Sequence, residues 1–529
     1  MAAAKAYPPW VIFEHDCTLE VDGCSSSIAD ANTLASSRTT GGLPINVSLC
    51  LAAPPEGSRV CVQLPAGVKV SYAAVLAAHG DSVVVQVAGI DDESTDHFVY
   101  NAGDAAAEPP RPPSLSLLAP HSITYEDKEE KRRPCWCHYL DAESTGLLRR
   151  GEDDFLVAEL KMEYVTTVAG TTHEEAALHL LRSASDEWCV KRPVVRRYDD
   201  GGETVCVNLA SWWRNSTVIP VGDRMLCWVH LDGDLLFSDD VFDDESPSLW
   251  YVPPPEDADL GTRSVCVTAD GSTVKFVNVF PRCCCGGAGR SFCLASFDAY
   301  AVRTWTLRMD DMTWAMDARL DATQLWSLDG YKGLPRVELA IPVVSMDEPD
   351  AICFEVVHHE NHGGDETILW RIMVDMKSKS TLLRSVFRYP KVRWCRSWVR
   401  PLPSSISRYF NSKPPSSGGQ PAQAEAMLNL TNRGRAVDNK VHAINTVQQA
   451  ASDSPEAAIL AALQAIPGLD RDDLLKAYRI LTHDSSGCRF RALMGLPMDF
   501  RKDCVLMEIK ASEACILCSL CSEDLQLKG

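Results

Sequence analysis

The feature that most constrains the fold is a change in the spacing of apolar residues near residue 400. Before it, short apolar runs alternate with Gly, Pro and Asp turns, as strands do, and after it the spacing becomes helical. The change predicts a β-rich domain over residues 1–400 and an α-helical module over 424–529. The Pro, Ser and Gly content of 401–423 predicts a flexible linker between them.

The strand signals have the period of two that a β-strand requires. Val83, Val85 and Val87 share one face of residues 82–88, whereas residues 368–374 are apolar on both faces, as expected for an inner strand covered twice. Asp232-Gly233 and Asp270-Gly271 supply hairpin turns. Such signals, sustained from about residue 60 to 390, predict a β-propeller-like domain, with paired β-sandwiches as the alternative.

Other segments carry helical signals. The composition of residues 171–182 predicts a short helix within the β-rich domain. Beyond residue 450, Ser454-Pro455-Glu456 begins a helix and Pro467-Gly468 ends it, while Asp470 caps a second helix that runs to about residue 481. On the second helix one apolar stripe is predicted, formed by Leu474, Leu475, Tyr478 and Leu481. With a third helix over 499–512, these segments predict a small bundle.

Charge and cysteine content exclude several classes of function. The net charge of −21 opposes nonspecific binding to nucleic acid or to an anionic membrane, and no apolar run is long enough to span a bilayer. The N-terminus does not resemble a signal peptide, so the 21 cysteines are expected to be reduced. We therefore expect an intracellular protein, cytoplasmic or nuclear and not secreted.

Certain strings resemble the grass-expanded family named domain of unknown function 1618, and the resemblance covers residues 7–400. The strings that carry it are Tyr7-Pro8-Pro9-Trp10-Val11, Leu147 to Gly151, Phe155 to Leu160, Leu235 to Asp239 and Tyr251-Val252-Pro253. Residues 475–481 resemble helical tails of related grass proteins. The chain departs from the family at His230, where members often carry an acid. The resemblance implies a plant setting and no assigned reaction or cofactor.

Two clusters contain metal-ligand side chains. His358, His359 and His362 lie with Glu360 on a predicted hairpin tip, and Cys515, Cys518 and Cys521 are spaced three apart near the C-terminus. Either set could in principle ligate zinc or iron. A solvated loop and a thiol-bearing apolar helix explain the two clusters without any metal, so no cofactor is predicted.

Residues 371–413 hold eleven basic side chains and a single acid, whereas 232–259 hold ten acids and no base. Within the basic segment, cations alternate with indoles, the residue types that grip phosphate and stack on bases. The weak candidates for partner binding are Arg393, Trp394, Arg396, Trp398 and Arg400. The two segments could also neutralise each other inside the fold.

No triad order, paired-carboxylate motif or His-Glu-x-x-His run is present, so no catalytic residue is predicted. The sequence favours a non-catalytic intracellular module or scaffold that binds protein partners, although an enzyme is not excluded. One alternative is a metal-dependent enzyme that uses the histidine loop at 358–362. The other is a nucleic-acid-associated regulator that uses the basic, Trp-rich segment at 371–413.

Overall fold

The structure is a computed structural model, and the chain divides into two compact units, Met1–Ser412 and Lys413–Gly529. The described residues of the first unit are 6–21, 30–90, 94–120, 139–152, 154–166, 172–183, 185–198, 204–206, 213–238, 241, 248–268, 271–282, 299–359, 366–376, 382–389, 392–393 and 400–411. Those of the second unit are 455–482, 490, 493–494, 497–498, 501–502, 504–506 and 509.

The described part of the first unit forms six sheets of four or more strands, together with a two-stranded sheet. The two-stranded sheet consists of β1 (Val11–Phe13) and β29 (Leu402–Ser404). Sheet 1 consists of β2 (Thr18–Val21), β3 (Ala35–Arg38), β4 (Pro44–Cys50) and β5 (Arg59–Leu64). Sheet 2 consists of β6 (Tyr72–His79), β7 (Ser82–Ile90), β8 (Ser94–Asn101) and β9 (Ser114–Leu117). Sheet 3 consists of β10 (Thr145–Arg150), β11 (Asp154–Thr166), β12 (Thr172–Arg182) and β13 (Cys189–Lys191).

The remaining three sheets follow in chain order. Sheet 4 consists of β14 (Val194–Tyr198), β15 (Thr204–Cys206), β16 (Asn215–Val221), β17 (Met225–His230), β18 (Leu235–Ser238) and β19 (Ser248–Val252). Sheet 5 consists of β20 (Thr262–Val267), β21 (Val274–Pro281), β22 (Tyr300–Arg308) and β23 (Thr313–Asp321). A short helix α1 (Ala322–Trp326) leads to sheet 6, which consists of β24 (Ala340–Val344), β25 (Ala351–His359), β26 (Glu366–Asp375), β27 (Leu382–Arg388) and β28 (Val392–Arg393).

The hydrophobic core is divided into layers, and each layer lies between two consecutive sheets. Strand β7 shows the principle: Val83, Val85 and Val87 pack in the layer shared with sheet 1, while Val84 packs in the layer shared with sheet 3. Further layers join sheets 3 and 4, sheets 4 and 5, and sheets 5 and 6. Because every inner strand buries both faces, the sheets surround a common axis, and the mainly β, propeller-like fold predicted from the sequence is confirmed.

The ring of sheets is closed by the two ends of the first unit. Strand β1 pairs antiparallel with β29, and its Ile12 packs with Val343 and Cys353 of sheet 6. Its Val11 packs on the other side, in the layer between sheets 1 and 2. Strand β1 therefore connects the last sheet to the first.

The structure differs from the sequence prediction at residues 171–182. Thr172–Arg182 is strand β12, paired along its whole length with β11, and the prediction of a short helix there is wrong. Leu178 and Leu180 are buried against sheet 4, whereas Leu181 is buried against sheet 2. Burial on two opposite faces at alternate positions outweighs the helical preference of the Ala- and Leu-rich sequence.

The predicted hairpins are present, since β17 pairs with β18 and β20 pairs with β21. The described residues at the start of the predicted linker form β29 and a 3-10 helix, Ile406–Phe410, with Ile406 fully buried. The further extent of the linker and of the helical module over 424–529 stays a prediction.

In the second unit, helices α2 (Pro455–Gln464) and α3 (Arg471–Thr482) begin where the capping signals place them. The N–H of Asp473 donates to Asp470 Oδ1 at 2.9 Å. Ala477 and Leu481 of α3 are buried, but Leu475 is 55% exposed, because it lies about 100° around the helix from the buried stripe. None of the described helices is long and apolar enough to cross a membrane.

At one end of the ring, where β6 and β10 finish, His79 is held as a neutral imidazole. Its Nδ1 accepts the backbone N–H of Arg149 at 2.8 Å. Burial lowers the pKa of His79 to about 4, against the opposing effect of Asp223 and Asp81. The unfolded chain binds this proton near pH 6.5, so the contribution to stability is present above that value and is lost as the pH falls towards 4.

We expect the free energy of unfolding to fall by about 2 kcal/mol between pH 8 and pH 5 through His79 alone. His79→Asn keeps an acceptor for the Arg149 N–H but does not titrate, so its stability should depend less on pH. Urea denaturation of both proteins at the two pH values measures the difference. Equal losses in the two proteins would contradict the assignment.

Candidate binding face

The strands nearest the axis of the ring begin at the same end, which we call the mouth face. Strands β6, β10, β16, β20, β24 and β29 begin there, and each lies beside the next around the ring or against β1. The parallel alignment is visible in the contact between Asn215 Nδ2, at the start of β16, and Ser144 Oγ, just before β10, at 3.0 Å. The mouth face therefore collects the chain segments that precede these strands.

Four large apolar side chains are exposed on this face, and each comes from a different sheet or the segment leading to it. They are Tyr72 at the start of β6, Tyr139 before β10, Leu231 in the β17–β18 hairpin and Leu260 before β20, with exposed fractions of 43%, 52%, 53% and 58%. Exposed apolar residues are common when scattered singly, but several at one end of a fold are typical of an interaction surface.

The β17–β18 hairpin on the mouth face is ordered by a polar cluster around Asp234. His230 Nδ1 lies 3.4 Å from Asp234 Oδ2, and Tyr251 OH donates to Asp234 Oδ1. Burial acts to raise the pKa of Asp234, but hydrogen bonding to His230 and Tyr251 outweighs this and holds the pKa below its usual value. His230 thus places a favourable partner, rather than a like charge, beside Asp234.

A buried ion-pair network lies at the same end of the ring, between β1 and sheet 6. The Nη1 of Arg371 is 2.8 Å from Glu14 Oε1, and its Nε donates to Glu355 Oε1 at 3.0 Å. The hydroxyl of Tyr389 also donates to Glu14 Oε1, at 2.8 Å. A Cβ at Gly57 would overlap the Glu14 carboxylate, so the chain approaches this network at a residue with no side chain. Burial opposes the charge of Arg371, yet Glu14 and Glu355 hold its pKa above the ordinary value.

Arg400 lies at the mouth face immediately before β29. Its Nη2 donates to the backbone carbonyl of Arg263 at 2.5 Å, whereas its Nη1 is buried without a hydrogen-bond partner among the described residues. Burial lowers the pKa of Arg400, with Cys266 and Glu143 close enough to oppose the effect. Burial and the neighbouring Asp141 raise the pKa of Glu143.

The other sequence-predicted site residues are placed only in part. His358 and His359 end strand β25, opposite Ile368 and Thr367, while His362 lies outside the described residues. Cys515, Cys518 and Cys521 also lie outside them, as do Trp394, Arg396 and Trp398. Arg393 is in β28, opposite Glu366. Within the described ranges no group of three or more His, Cys, Asp or Glu side chains could hold a metal ion.

Several cations of the basic segment have partners elsewhere in the first unit. Besides Arg371, Arg384 bridges Glu348 and Asp375, and Arg408 pairs with Asp347. None of these acids belongs to the acidic segment 232–259, so these three arginines are neutralised without it. Sequence reasoning missed Glu14 because it meets Arg371 only when β1 packs beside sheet 6. It missed Glu355 because that contact depends on the register of β25 with β26.

Arg371→Met should lower the free energy of unfolding by about 3 to 5 kcal/mol, because Glu14 and Glu355 would remain buried without a cation. Arg384→Met is the matched control, since Arg384 is paired but partly exposed, and it should cost roughly 1 kcal/mol or less. Urea denaturation of the three proteins measures both losses. Similar losses for the two variants would contradict a special role of the Arg371 network.

Comparisons with solved structures found similar chains of low sequence identity. A beta-propeller domain of Cps50 (Swd1) from Myceliophteria thermophila shares 8% identity with a TM-score of 0.30, over 73% of this chain and 91% of that one. A polysaccharide lyase of family PL25, an ulvan lyase, shares 9% identity with a TM-score of 0.26, over 59% and 82%. No curated protein matches the chain.

A family model matches part of the ring. It is described as protein of unknown function (DUF1618) and matches residues 228–353. The match begins at Trp228, a fully buried side chain whose Nε1 donates to the Ser144 carbonyl at 2.9 Å, and it ends in β25. The resemblance to domain of unknown function 1618 is thus confirmed over residues 228–353, and its wider extent over 7–400 stays a prediction.

Proposed function

We propose that this chain is a non-catalytic, intracellular protein-interaction module of a plant cell and that it binds its partner through the mouth face. The plant setting rests on the family resemblance. The intracellular setting rests on the expectation, from the sequence, that the cysteines are reduced. The observation that carries the proposal is the convergence of Tyr72, Tyr139, Leu231 and Leu260 on one end of the ring. Each comes from a segment leading to a different sheet or from a hairpin at that end.

The chemistry of these side chains supports binding to a protein. Tyrosine and leucine present large apolar areas, and tyrosine adds a hydroxyl, a combination enriched in the centres of protein interfaces. The polar groups beside them are already arranged by internal contacts, such as Asp234 with Tyr251 and Arg371 with Glu14. A face ordered before binding loses less conformational entropy when a partner docks.

The electrostatics favour a protein partner over nucleic acid. The net charge is −21, and Arg371, Arg384 and Arg408 of the basic segment are engaged by carboxylates of the first unit. Phosphate-backbone binding depends on free surface cations, which these three arginines do not supply. The second unit, with the stripe on α3, is proposed as a separate site for a second partner.

The triple variant Tyr139→Ser, Leu231→Ser, Leu260→Ser of the full-length protein should recover the wild-type partner at least roughly tenfold less efficiently, as expected when interface hot spots are removed. All three side chains are more than half exposed, so folding should not change. Quantitative affinity purification measures recovery, and the recovered protein is then tested for direct binding in purified form.

The control is a second triple variant whose changes lie on outer strands away from the mouth face. Met316, Leu382 and Val386 are exposed on β23 and β27, and their replacement by Ser should leave partner recovery unchanged. Equal recovery by the two triple variants would overturn the assignment of the face. Absence of any direct binder for the wild-type protein would overturn the interaction function itself.

A further inference from the structure

The side chain of Arg400 lies near the centre of the ring. It immediately precedes β29, which contacts β6 of sheet 2. Its guanidinium bonds to Arg263 in β20 of sheet 5 and is close enough to Glu143, just before β10 of sheet 3, for the two charges to influence each other. A side chain that extends from a segment beside sheet 2 to sheet 5, which is opposite in a ring of six sheets, must lie near the axis. Arg400 therefore stands at the middle of the mouth face.

The guanidinium of Arg400 differs from the other buried guanidinium groups of the first unit. Arg149 makes two bonds to the Asp81 carboxylate, and Arg371 is held by Glu14 and Glu355. Arg400 Nη2 donates to a backbone carbonyl, and its Nη1 is buried without a hydrogen-bond partner among the described residues. A buried cation that lacks an anionic partner costs several kcal/mol, and a bound anion removes that cost.

We propose that Arg400 binds an oxyanion group, a carboxylate or a phosphate, at the centre of the mouth face. A guanidinium presents N–H donors in a planar fork that matches two oxygens of either group. The neighbouring Arg263, whose carbonyl accepts from Arg400, also carries a buried Nε without a partner among the described residues. This site is independent of the protein-interaction function, because its occupant can be either a small free anion or an anionic group on a larger partner.

Glu143 sets how strongly the anion is held. Its carboxylate is near enough to lower the cost of the Arg400 charge, and when ionised it repels an incoming anion. Glu143→Gln removes this repulsion while keeping the size of the side chain. The variant should therefore bind oxyanions more tightly than the wild-type protein.

The test measures the melting temperature of the full-length protein against inorganic phosphate and, separately, against acetate, with sodium chloride used to match ionic strength. Bound ligand raises the melting temperature as the logarithm of its concentration over the dissociation constant. We expect a saturable rise for wild type, a half-saturating concentration at least roughly tenfold higher for Arg400→Met, and a lower one for Glu143→Gln. A response to phosphate alone or to acetate alone identifies the group, and a response to both supports a general oxyanion site.

Two further variants keep the proposal falsifiable. Arg303→Met is the control, since Arg303 belongs to sheet 5, is already paired with Asp259 at 3.1 Å, and should leave the anion response intact. Arg400→Lys retains the charge but loses the planar fork, so it should fold and respond more weakly than wild type. Without added anion, Arg400→Met should be at least as stable as wild type, because it removes a buried cation. The proposal is overturned if the melting temperature of wild type shows no saturable rise, or if Arg400→Met responds to the anion as wild type does. It is also overturned if Arg303→Met loses the response, or if Arg400→Met is strongly destabilised without added anion.

Discussion

The fold depends on the requirement that sheets with two apolar faces bury both of them. A sandwich of two sheets covers one face of each, whereas a ring covers every face provided that the last sheet meets the first. Closure is therefore the critical step, and it relies on β1, a strand of only three residues. Its Val11 and Ile12 face two different core layers, and Glu14 directly after it anchors Arg371 of sheet 6.

The same closure explains why the mouth face has chemistry that is not visible along the chain. The segments before β6, β10, β20 and β29 are far apart in sequence, yet the ring places them at one end. Apolar side chains such as Tyr139 and Leu260 are exposed there, whereas the Nη1 of Arg400 is buried. An apolar surface with a buried guanidinium nitrogen near its centre offers both contact area and a directional polar contact, the two components from which specific recognition is built.

The period of two predicted the strands and hairpins because alternate burial is a local property of a sheet. It identified the inner strand β26, whose Ile372 and Met373 pack in different layers. The same reasoning failed at β12, where Ala and Leu favour a helix locally and only the neighbouring sheets impose a strand. The Glu14–Arg371 pair could not be predicted from the sequence for a related reason. Its two residues lie 357 positions apart and meet only after the ring has formed. The sequence indicates Arg400 as a basic candidate for partner binding, but the burial of its Nη1 is a property of the closed ring.

The pairing of β1 with β29 also determines when the first unit can finish folding. During synthesis, β1 leaves the ribosome before the six sheets, and its partner Leu402–Ser404 follows only after all of them have been made. Until then sheet 6 and sheet 1 each present an uncovered apolar face and strands without their final neighbours, the features that promote aggregation of folding intermediates. The bond from the Tyr7 N–H to Asn411 Oδ1, across 404 residues, belongs to the contacts that form last. The completed ring thus joins the earliest and latest segments of the unit, and this pairing closes the longest loop of the first unit, at the largest entropic cost.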